Sequence, residues 1–99
     1  EQNNGIPFTF ALNQNYPNPF NPSTSISYAI PEMNHVSLNI YDVNGYFVQN
    51  LVNGNLEPGF HSVSWDGTNA NGSKVSAGMY FYTIKSGNLV STQKMIFLK

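Results

Sequence analysis

Hydrophobic and polar residues alternate along most of this 99-residue chain, in short segments separated by glycine, proline and asparagine. A period of two residues is typical of β-strands that bury one face, whereas a helix needs apolar positions three and four residues apart. No segment of ten or more residues follows the helical spacing without interruption. The pattern predicts seven strands, at residues 8–12, 24–30, 35–41, 46–52, 59–65, 79–84 and 89–98.

Turn-forming residues separate these strands. Asn44-Gly45 favours the positive φ angles of a tight hairpin turn, and Gly87-Asn88 indicates another turn. The segment "NGNLEPG" at 53–59 predicts a loop, and residues 66–78 predict a long polar turn. Seven short strands with this spacing favour an all-β fold, an antiparallel β-sandwich of the immunoglobulin-like or fibronectin III-like kind.

The alternation also predicts which side chains form the core. The apolar positions that share one face of their strands are Val36, Leu38, Ile40, Val63, Trp65, Tyr80, Tyr82 and Ile84. Trp65 is the only tryptophan, and we expect a structural role for it, the alternative being an exposed aromatic that binds a ligand. For the last strand, alternation does not decide which face is buried, because residues 95–98 are four consecutive apolar residues.

A run of prolines precedes the second strand, in the segment "NYPNPFNPST" at 15–24. Proline cannot donate a hydrogen bond to a sheet, and it holds the preceding residue in an extended conformation. We therefore predict an extended, semi-rigid segment that crosses one end of the sandwich. Tyr16 and Phe20 are the side chains predicted to pin it there.

Composition narrows the functional classes. Hydrophobic residues make up 40% of the chain, which is enough for a core in one monomeric domain, while charged residues make up only 9%. The chain has fifteen asparagines, no arginine and a net charge of -1, so nucleic acid is a poor partner. Without cysteine there is no disulfide, and no apolar run approaches the length of a membrane span. If the protein is exported, we expect its export signal to lie elsewhere or to be unusual.

Catalytic and metal-binding patterns are not found. His35 and His61 stand far apart in the sequence, and the five carboxylates are not clustered, so no metal and no cofactor is expected. The segment "DGTNANG" lacks the ligand spacing of a calcium loop, and no G-x-S-x-G motif occurs. We expect no catalysis by this domain alone, although a secreted hydrolase is compatible with it as the parent protein.

Four segments, in this order, resemble a known family: "LNQNYPNPFNPSTSISYAIPE", "VSLNIYDVNGYFVQNLVNG", "PGFHSVSWDGTNANGSKVSAGMYFYTIKSG" and "KMIFLK". Together they resemble the C-terminal sorting domain, type A, of the type IX secretion system of Bacteroidetes and related phyla. They also resemble the immunoglobulin-like domain of the flagellar hook-capping protein. The specific features are the N-Y-P-N-P-F-N-P block combined with I-Y-D-x-x-G, W-D-G and G-x-Y-x-Y.

The resemblance implies a sorting signal that directs a fused cargo protein across the outer membrane to the cell surface. Residues 1–9 would be the linker from an upstream cargo domain, and residues 10–99 the sorting sandwich. Its implied partners are the outer-membrane secretion translocon and a sortase-like peptidase. Its implied location is the periplasm in transit and then the cell surface or the extracellular space.

Residue roles follow from the same resemblance, position by position. The candidates for recognition by the translocon are Gly78, Lys94, Met95, Ile96, Leu98 and Lys99. The matched core positions are Ile40, Tyr41, Asp42, Gly45, Trp65, Asp66 and Gly67. The chain departs from the family at Tyr46, where Arg or Lys is common, and at Thr68, near which a charged residue is frequent.

Two functional classes stay open. If the domain is a sorting signal, a partner could capture the edge of the last strand by strand addition. The alternative is a structural or carbohydrate-binding immunoglobulin-like accessory module of a secreted glycoside hydrolase.

Overall fold

The structure, a computed structural model, describes residues 7 and 9–98. Phe8, where the first predicted strand begins, Lys99 and most of the predicted linker at 1–9 lie outside the described residues. The strands are β1 (Ala11–Leu12), β2 (Thr24–Ile30), β3 (Asn34–Tyr41), β4 (Phe47–Leu56), β5 (Gly59–Trp65), β6 (Gly78–Ser86) and β7 (Leu89–Phe97).

These strands form two antiparallel sheets. The three-stranded sheet has the order β1–β2–β5, and the four-stranded sheet has the order β4–β3–β6–β7. The predicted all-β, immunoglobulin-like sandwich of seven strands is therefore confirmed. In the described part of the chain, no helix is long and apolar enough to cross a membrane.

Alternate residues of the central strands meet between the sheets. Val36, Leu38 and Ile40 of β3 are fully buried, and they pack with inward residues of β6 and β2. Trp65 lies at the end of β5 and is only 1% exposed, and its indole N–H donates to the Thr68 carbonyl at 2.8 Å. The single tryptophan is thus a core residue and not an exposed binding aromatic.

The register of β7 decides which face of the last strand is buried. Met95 and Phe97 face the core, whereas Ile96 is partly exposed and Leu98 is 48% exposed. Tyr80 lies opposite Met95 in the neighbouring strand, and opposite residues share a face. The inward residues of β6 therefore select Met95 and Phe97 from the four consecutive apolar residues.

Two predicted boundaries are wrong. The loop expected at 53–59 begins later, because β4 continues to Leu56 and pairs with β3 from Asn34 onwards. The turn-prone residues 53–56 pair with β3 in regular register, and the two register shifts lie earlier in β4, at Leu51 and Val48. At the other end of the chain, only Ala11 and Leu12 of the predicted first strand pair with β2.

The hairpin turn expected at Asn44-Gly45 joins β3 to β4. Gly45 has a φ of +86°, and its N–H donates to the Asp42 carbonyl at 3.0 Å. The Asp42 carboxylate accepts hydrogen bonds from the backbone N–H groups of Asn44 and Tyr46, at 2.9 and 3.0 Å. The I-Y-D-x-x-G motif is thus a self-capped turn.

Candidate functional site: the terminal strand and the segment that covers its edge

The candidate recognition residues divide between the two faces of the four-stranded sheet. Lys94 and Leu98 are exposed and Ile96 is partly exposed, all outside the core, whereas the Met95 side chain is fully buried. Gly78 begins β6 opposite Phe97, with a φ of +146° and open space where a Cβ would lie. Lys99 lies outside the described residues. The structure therefore brings Lys94, Ile96 and Leu98 to the surface near Gly78 and separates Met95 from them.

An apolar row crosses the outer face of the four-stranded sheet beside these residues. Phe47, Tyr41 and Phe81 are neighbours on adjacent strands, and Lys94 follows Phe81 in the same row. The rings of Tyr41 and Phe47 meet edge to face at 6.3 Å, and Phe47 is 53% exposed. Met79 pairs with Ile96 in the next row. We call this surface the outer apolar patch. Its members are Tyr41, Phe47, Met79, Phe81, Lys94, Ile96 and the exposed Leu98.

Tyr41, one of the matched core positions, therefore lies in this patch and is partly exposed. Its ring covers the outer face of the sheet, while Ile40 faces the core. Trp65 is buried at the end of β5, and the other matched positions, Asp42, Gly45, Asp66 and Gly67, lie in turns. The Asp66 carboxylate accepts a hydrogen bond from the Thr68 hydroxyl at 2.6 Å, and the Asp66 carbonyl accepts one from the Lys74 ammonium at 2.8 Å.

The proline run lies along the edge of β7 and hydrogen-bonds to its backbone. The Phe20 N–H donates to the Ile96 carbonyl, and the Leu98 N–H donates to the Phe20 carbonyl, both at 2.9 Å. The Ile96 N–H donates to the Asn18 side-chain oxygen at 2.9 Å. The Gln14 amide donates to the Lys94 carbonyl at 2.7 Å. Strand addition to this end of the β7 edge is therefore blocked by the chain itself.

The same segment first follows β2 and then crosses to β7. Asn13 donates to the Ser27 carbonyl at 3.0 Å, and Tyr16 and Ser25 exchange two backbone hydrogen bonds at 2.9 Å. After Tyr16 the backbone pairs with β7 instead, at Phe20. The predicted crossing segment thus closes one side of the sandwich by linking its two sheets.

Phe20 pins the segment, and Tyr16 does not. Phe20 is 1% exposed and stacks on Phe97 with a centroid distance of 4.9 Å, and it contacts Trp65 at 5.6 Å. Tyr16 is 80% exposed. The prediction that both side chains pin the run is therefore wrong for Tyr16, because its pairing with Ser25 places it on the outer face of the three-stranded sheet.

Tyr82 holds the start of the run from the far sheet. Its hydroxyl donates to the Asn13 carbonyl at 2.7 Å and accepts the Asn15 N–H at 2.8 Å. The Asn15 side chain, 2% exposed, donates to the Pro17 carbonyl and to the Thr24 hydroxyl. These bonds fix the crossing at the point where it leaves β2.

Burial in this region raises the pKa of three tyrosines. Burial raises the pKa of Tyr82 to about 12, although the hydrogen bond from the Asn15 backbone opposes the shift. Burial also raises the pKa of Tyr28 and of Tyr80, and the nearby Asp42 charge adds to the shift at Tyr80. Each phenol is therefore held in its neutral form well above neutral pH.

The residues available for chemistry do not converge. His35 contacts the Asn53 side chain at 2.9 Å, whereas His61 contacts the Glu57 carbonyl at 2.9 Å and stacks on Tyr28. Among the described residues, no three His, Cys, Asp or Glu side chains are placed to hold a metal ion. The segment at 66–74 is a polar hairpin in which the Asn69 side chain accepts from the backbone of Asn71 and Ser73.

Sequence reasoning missed Gln14, Asn15, Asn18 and Tyr82 as the residues that position the run. The partners through which they tie the run to the two sheets lie 9 to 80 residues away in the chain, so no local pattern reveals them. The one available clue was the asparagine before each of Pro19 and Pro22, since an asparagine side chain can satisfy backbone groups that proline leaves unpaired.

Fold and core define an immunoglobulin-like β-sandwich domain. The family model of the FlgD Ig-like domain matches residues 21–94, and the chain belongs to that family. Among curated proteins, no sequence matches this chain significantly.

Solved structures share the fold. A dimeric latent PorU from Porphyromonas gingivalis aligns with a TM-score of 0.69 at 21% identity, covering 91% of this chain and 9% of PorU. PorZ, described as an essential surface component of the type IX secretion system of the same species, aligns with a TM-score of 0.60 at 18% identity, covering 91% of this chain and 11% of PorZ. FlgD from Xanthomonas campestris aligns with a TM-score of 0.62 at 27% identity, covering 93% of this chain and 67% of FlgD. The chain thus corresponds to a small part of PorU and PorZ.

Proposed function

We propose that this domain is a non-catalytic C-terminal sorting signal of the type IX secretion pathway. It would direct a fused cargo protein through the periplasm and across the outer membrane to the cell surface or beyond. Its partners would be the outer-membrane translocon, a sortase-like peptidase and an upstream cargo domain, a secreted hydrolase being one suitable cargo. The domain itself would act as a monomer without metal or cofactor.

The outer apolar patch carries this proposal. It places Lys94, Ile96 and Leu98 on the outer sheet face that also carries the partly exposed rings of Phe81 and Tyr41 and the exposed ring of Phe47. Exposed apolar side chains clustered beside polar residues mark protein-binding surfaces. The motif resemblance and the fold shared with domains of PorU and PorZ support a partner from the type IX pathway.

The covered edge of β7 sets the mode of recognition. Because residues 14–20 occupy the backbone groups of Lys94, Ile96 and Leu98, the translocon would read side chains of the outer apolar patch. Phe97 and Met95 would hold the strand in place from the core side.

Export of a fused reporter in a type IX-competent host tests the proposal. The test variant combines Lys94→Gln with Leu98→Ser, both at exposed positions. The control combines Lys85→Gln with Val90→Ser, a lysine and an exposed aliphatic residue that pair at the other end of the same face. Each change should alter stability by about 0.5 kcal/mol or less, because all four side chains are exposed.

We expect the test variant to impair export and the control to leave it normal, with both melting as the parent does. Normal export of the test variant, and also of a chain lacking its last five residues, would contradict the sorting function. The domain would then be a structural module, which is the alternative that the immunoglobulin-like family leaves available.

A further inference from the structure

The four sheet edges are β1, β5, β4 and β7, and three of them are short, covered in part or interrupted. β1 has only two residues, and the Gln93 side chain donates to the Leu12 carbonyl at 3.0 Å. Residues 14–20 lie along the end of β7. At the edge of β4, the Val48 carbonyl accepts the Ala70 N–H at 2.9 Å, and two register shifts make the strand irregular. Such devices protect an edge from strand pairing.

The edge of β5 has no such cover within the described residues. Ser25 and Ser27 of β2 direct their backbone groups toward residues 13–16. The residues of β2 that hydrogen-bond to β5 are therefore the others, Thr24, Ile26, Tyr28 and Ile30. In that register, Phe60, Ser62 and Ser64 direct their N–H and C=O groups away from β2. No hydrogen bond to these six groups is formed by any described residue. The strand carries neither a proline nor a lysine, aspartate or glutamate that would discourage pairing.

The inner face of the sandwich is incomplete on the same side. The three-stranded sheet has one strand fewer than its partner, and its β1 end contacts β7. The opposite edge strand, β4, contacts β5, and the three-stranded sheet has no further strand beyond β5. Leu51, Val52 and Leu56 of β4 and Val63 of β5 pack against the core but stay partly exposed. The corresponding residues of β3 are fully buried.

We propose that β5 is an acceptor for one extended strand donated by a partner polypeptide. The added strand would pair antiparallel with Gly59–Trp65 and extend the three-stranded sheet to four strands. Its alternate inward residues would be aliphatic, because they would cover Leu56, Leu51 and Val63. Its outward residues would be neutral and polar, beside Ser62 and Ser64, which are exposed on a face without charge.

A second copy of this chain does not fit the site. Two β5 strands paired about a twofold axis would sit side by side, about 4.8 Å apart. β4 is an edge of the four-stranded sheet and contacts β5, so β4 of each copy would collide with the four-stranded sheet of the other. The occupant is thus a single strand that lacks a sheet of its own beneath it. The site lies on the side opposite β7 and does not depend on the proposed sorting function.

A synthetic heptapeptide that alternates valine and threonine, with valine at both ends, serves as the probe. Titration into the ¹⁵N-labelled protein is followed by NMR, and amide exchange is measured at Phe60, Ser62 and Ser64. In an added antiparallel strand, the threonine N–H groups face β5 and the valine N–H groups face away. A peptide N-methylated at its threonines removes the paired donors, while one N-methylated at its valines is the matched control.

The protein variants are Ser62→Pro and Ser62→Ala. Proline at this edge position removes an N–H that bonds to no described residue, so the fold should tolerate Ser62→Pro. Ser62→Ala is the control, because alanine keeps the N–H. We expect saturable binding that slows exchange at these three amides. Ser62→Pro and threonine methylation should each weaken the binding about tenfold or more, while Ser62→Ala and valine methylation should leave it within about twofold.

Absence of binding, or shifts centred on β7 or the outer apolar patch, would overturn the proposal. Equal affinities for the two methylated peptides would overturn it as well, and that comparison uses the unaltered protein. Export of the reporter is a separate readout, so failure here is distinct from failure of the sorting function.

Discussion

Gly67 and Phe97 show how the W-D-G motif serves the core. Gly67 has a φ of +77°, and a Cβ built there would lie 2.7 Å from Cζ of Phe97. Gly72 has a similar φ of +86°, but a Cβ there would meet no atom within 4 Å. The two glycines share the backbone requirement, and only Gly67 also makes room for an aromatic ring.

This pair separates backbone strain from steric conflict. Gly72→Ala should lower the free energy of unfolding by about 1–2 kcal/mol, the cost of a side chain at positive φ. Gly67→Ala should cost about 1–3 kcal/mol more, because the Phe97 ring must move. Urea denaturation of both variants measures the difference. Equal losses would show that the ring moves without cost.

Tyr82 connects a core strand to the start of the covering run. In Tyr82→Phe the ring stays buried, but the Asn13 carbonyl and the Asn15 N–H lose their partner. We expect a loss of about 1–3 kcal/mol in the free energy of unfolding, because a buried N–H and a partly buried carbonyl lose their partner. Tyr46→Phe is the control, at a side chain 70% exposed, with a change of about 0.5 kcal/mol or less. A similar effect of both substitutions would refute the connection.

At the scale of elements, the run at 14–20 substitutes for an eighth strand. It forms only a few backbone hydrogen bonds, since each proline lacks a donor, and side chains of Gln14 and Asn18 make two of the remaining contacts with β7. The run thus covers the edge without offering a regular edge of its own.

Removing the Phe20 ring should release this cover. Phe20→Ala should cost about 3–5 kcal/mol, because a fully buried ring that packs on Phe97 and Trp65 is lost. Amide exchange at Ile96 and Leu98 should accelerate more than at the centre of β3. Tyr16→Ala should change stability by about 0.5 kcal/mol or less. Unchanged exchange at Ile96 in a folded Phe20→Ala protein would show that the hydrogen bonds alone hold the run.

At the scale of the whole molecule, the three buried tyrosines predict alkaline unfolding. Tyr82, Tyr28 and Tyr80 have pKa values raised above 10.0, and the pKa of Tyr82 is about 12. Raised values mean that the unfolded state releases these protons first, so their stabilising effect is complete below about pH 10. It should be lost as the pH rises through about 12.

Urea midpoints measured between neutral pH and about pH 12 test this, with tyrosinate absorbance recorded in parallel. We expect a plateau followed by a decline from about pH 10. Tyr82→Phe should show a shallower decline, because the most strongly shifted group is missing. A midpoint that stays constant through this range would contradict the burial of the phenols.

Local chemistry determined the strands and the faces of the strands that have a clean period of two. Val36, Leu38 and Ile40 were predictable as core residues because alternation is a property of neighbouring positions. Turns such as Asp42–Gly45 were predictable for the same reason, since their hydrogen bonds stay within a few residues. The immunoglobulin-like fold class followed from the number and spacing of these strands.

Only the tertiary structure decided the strand ends, buried faces and covered edges that depend on residues distant in the chain. The turn-prone end of β4 became strand because β3 pairs with it, and Met95 with Phe97 turned inward because β6 sets their register. Phe20 rather than Tyr16 became the buried ring, since the run changes sheets between them. The uncovered edge of β5 depends on strand order in both sheets, which alternation along one strand does not encode.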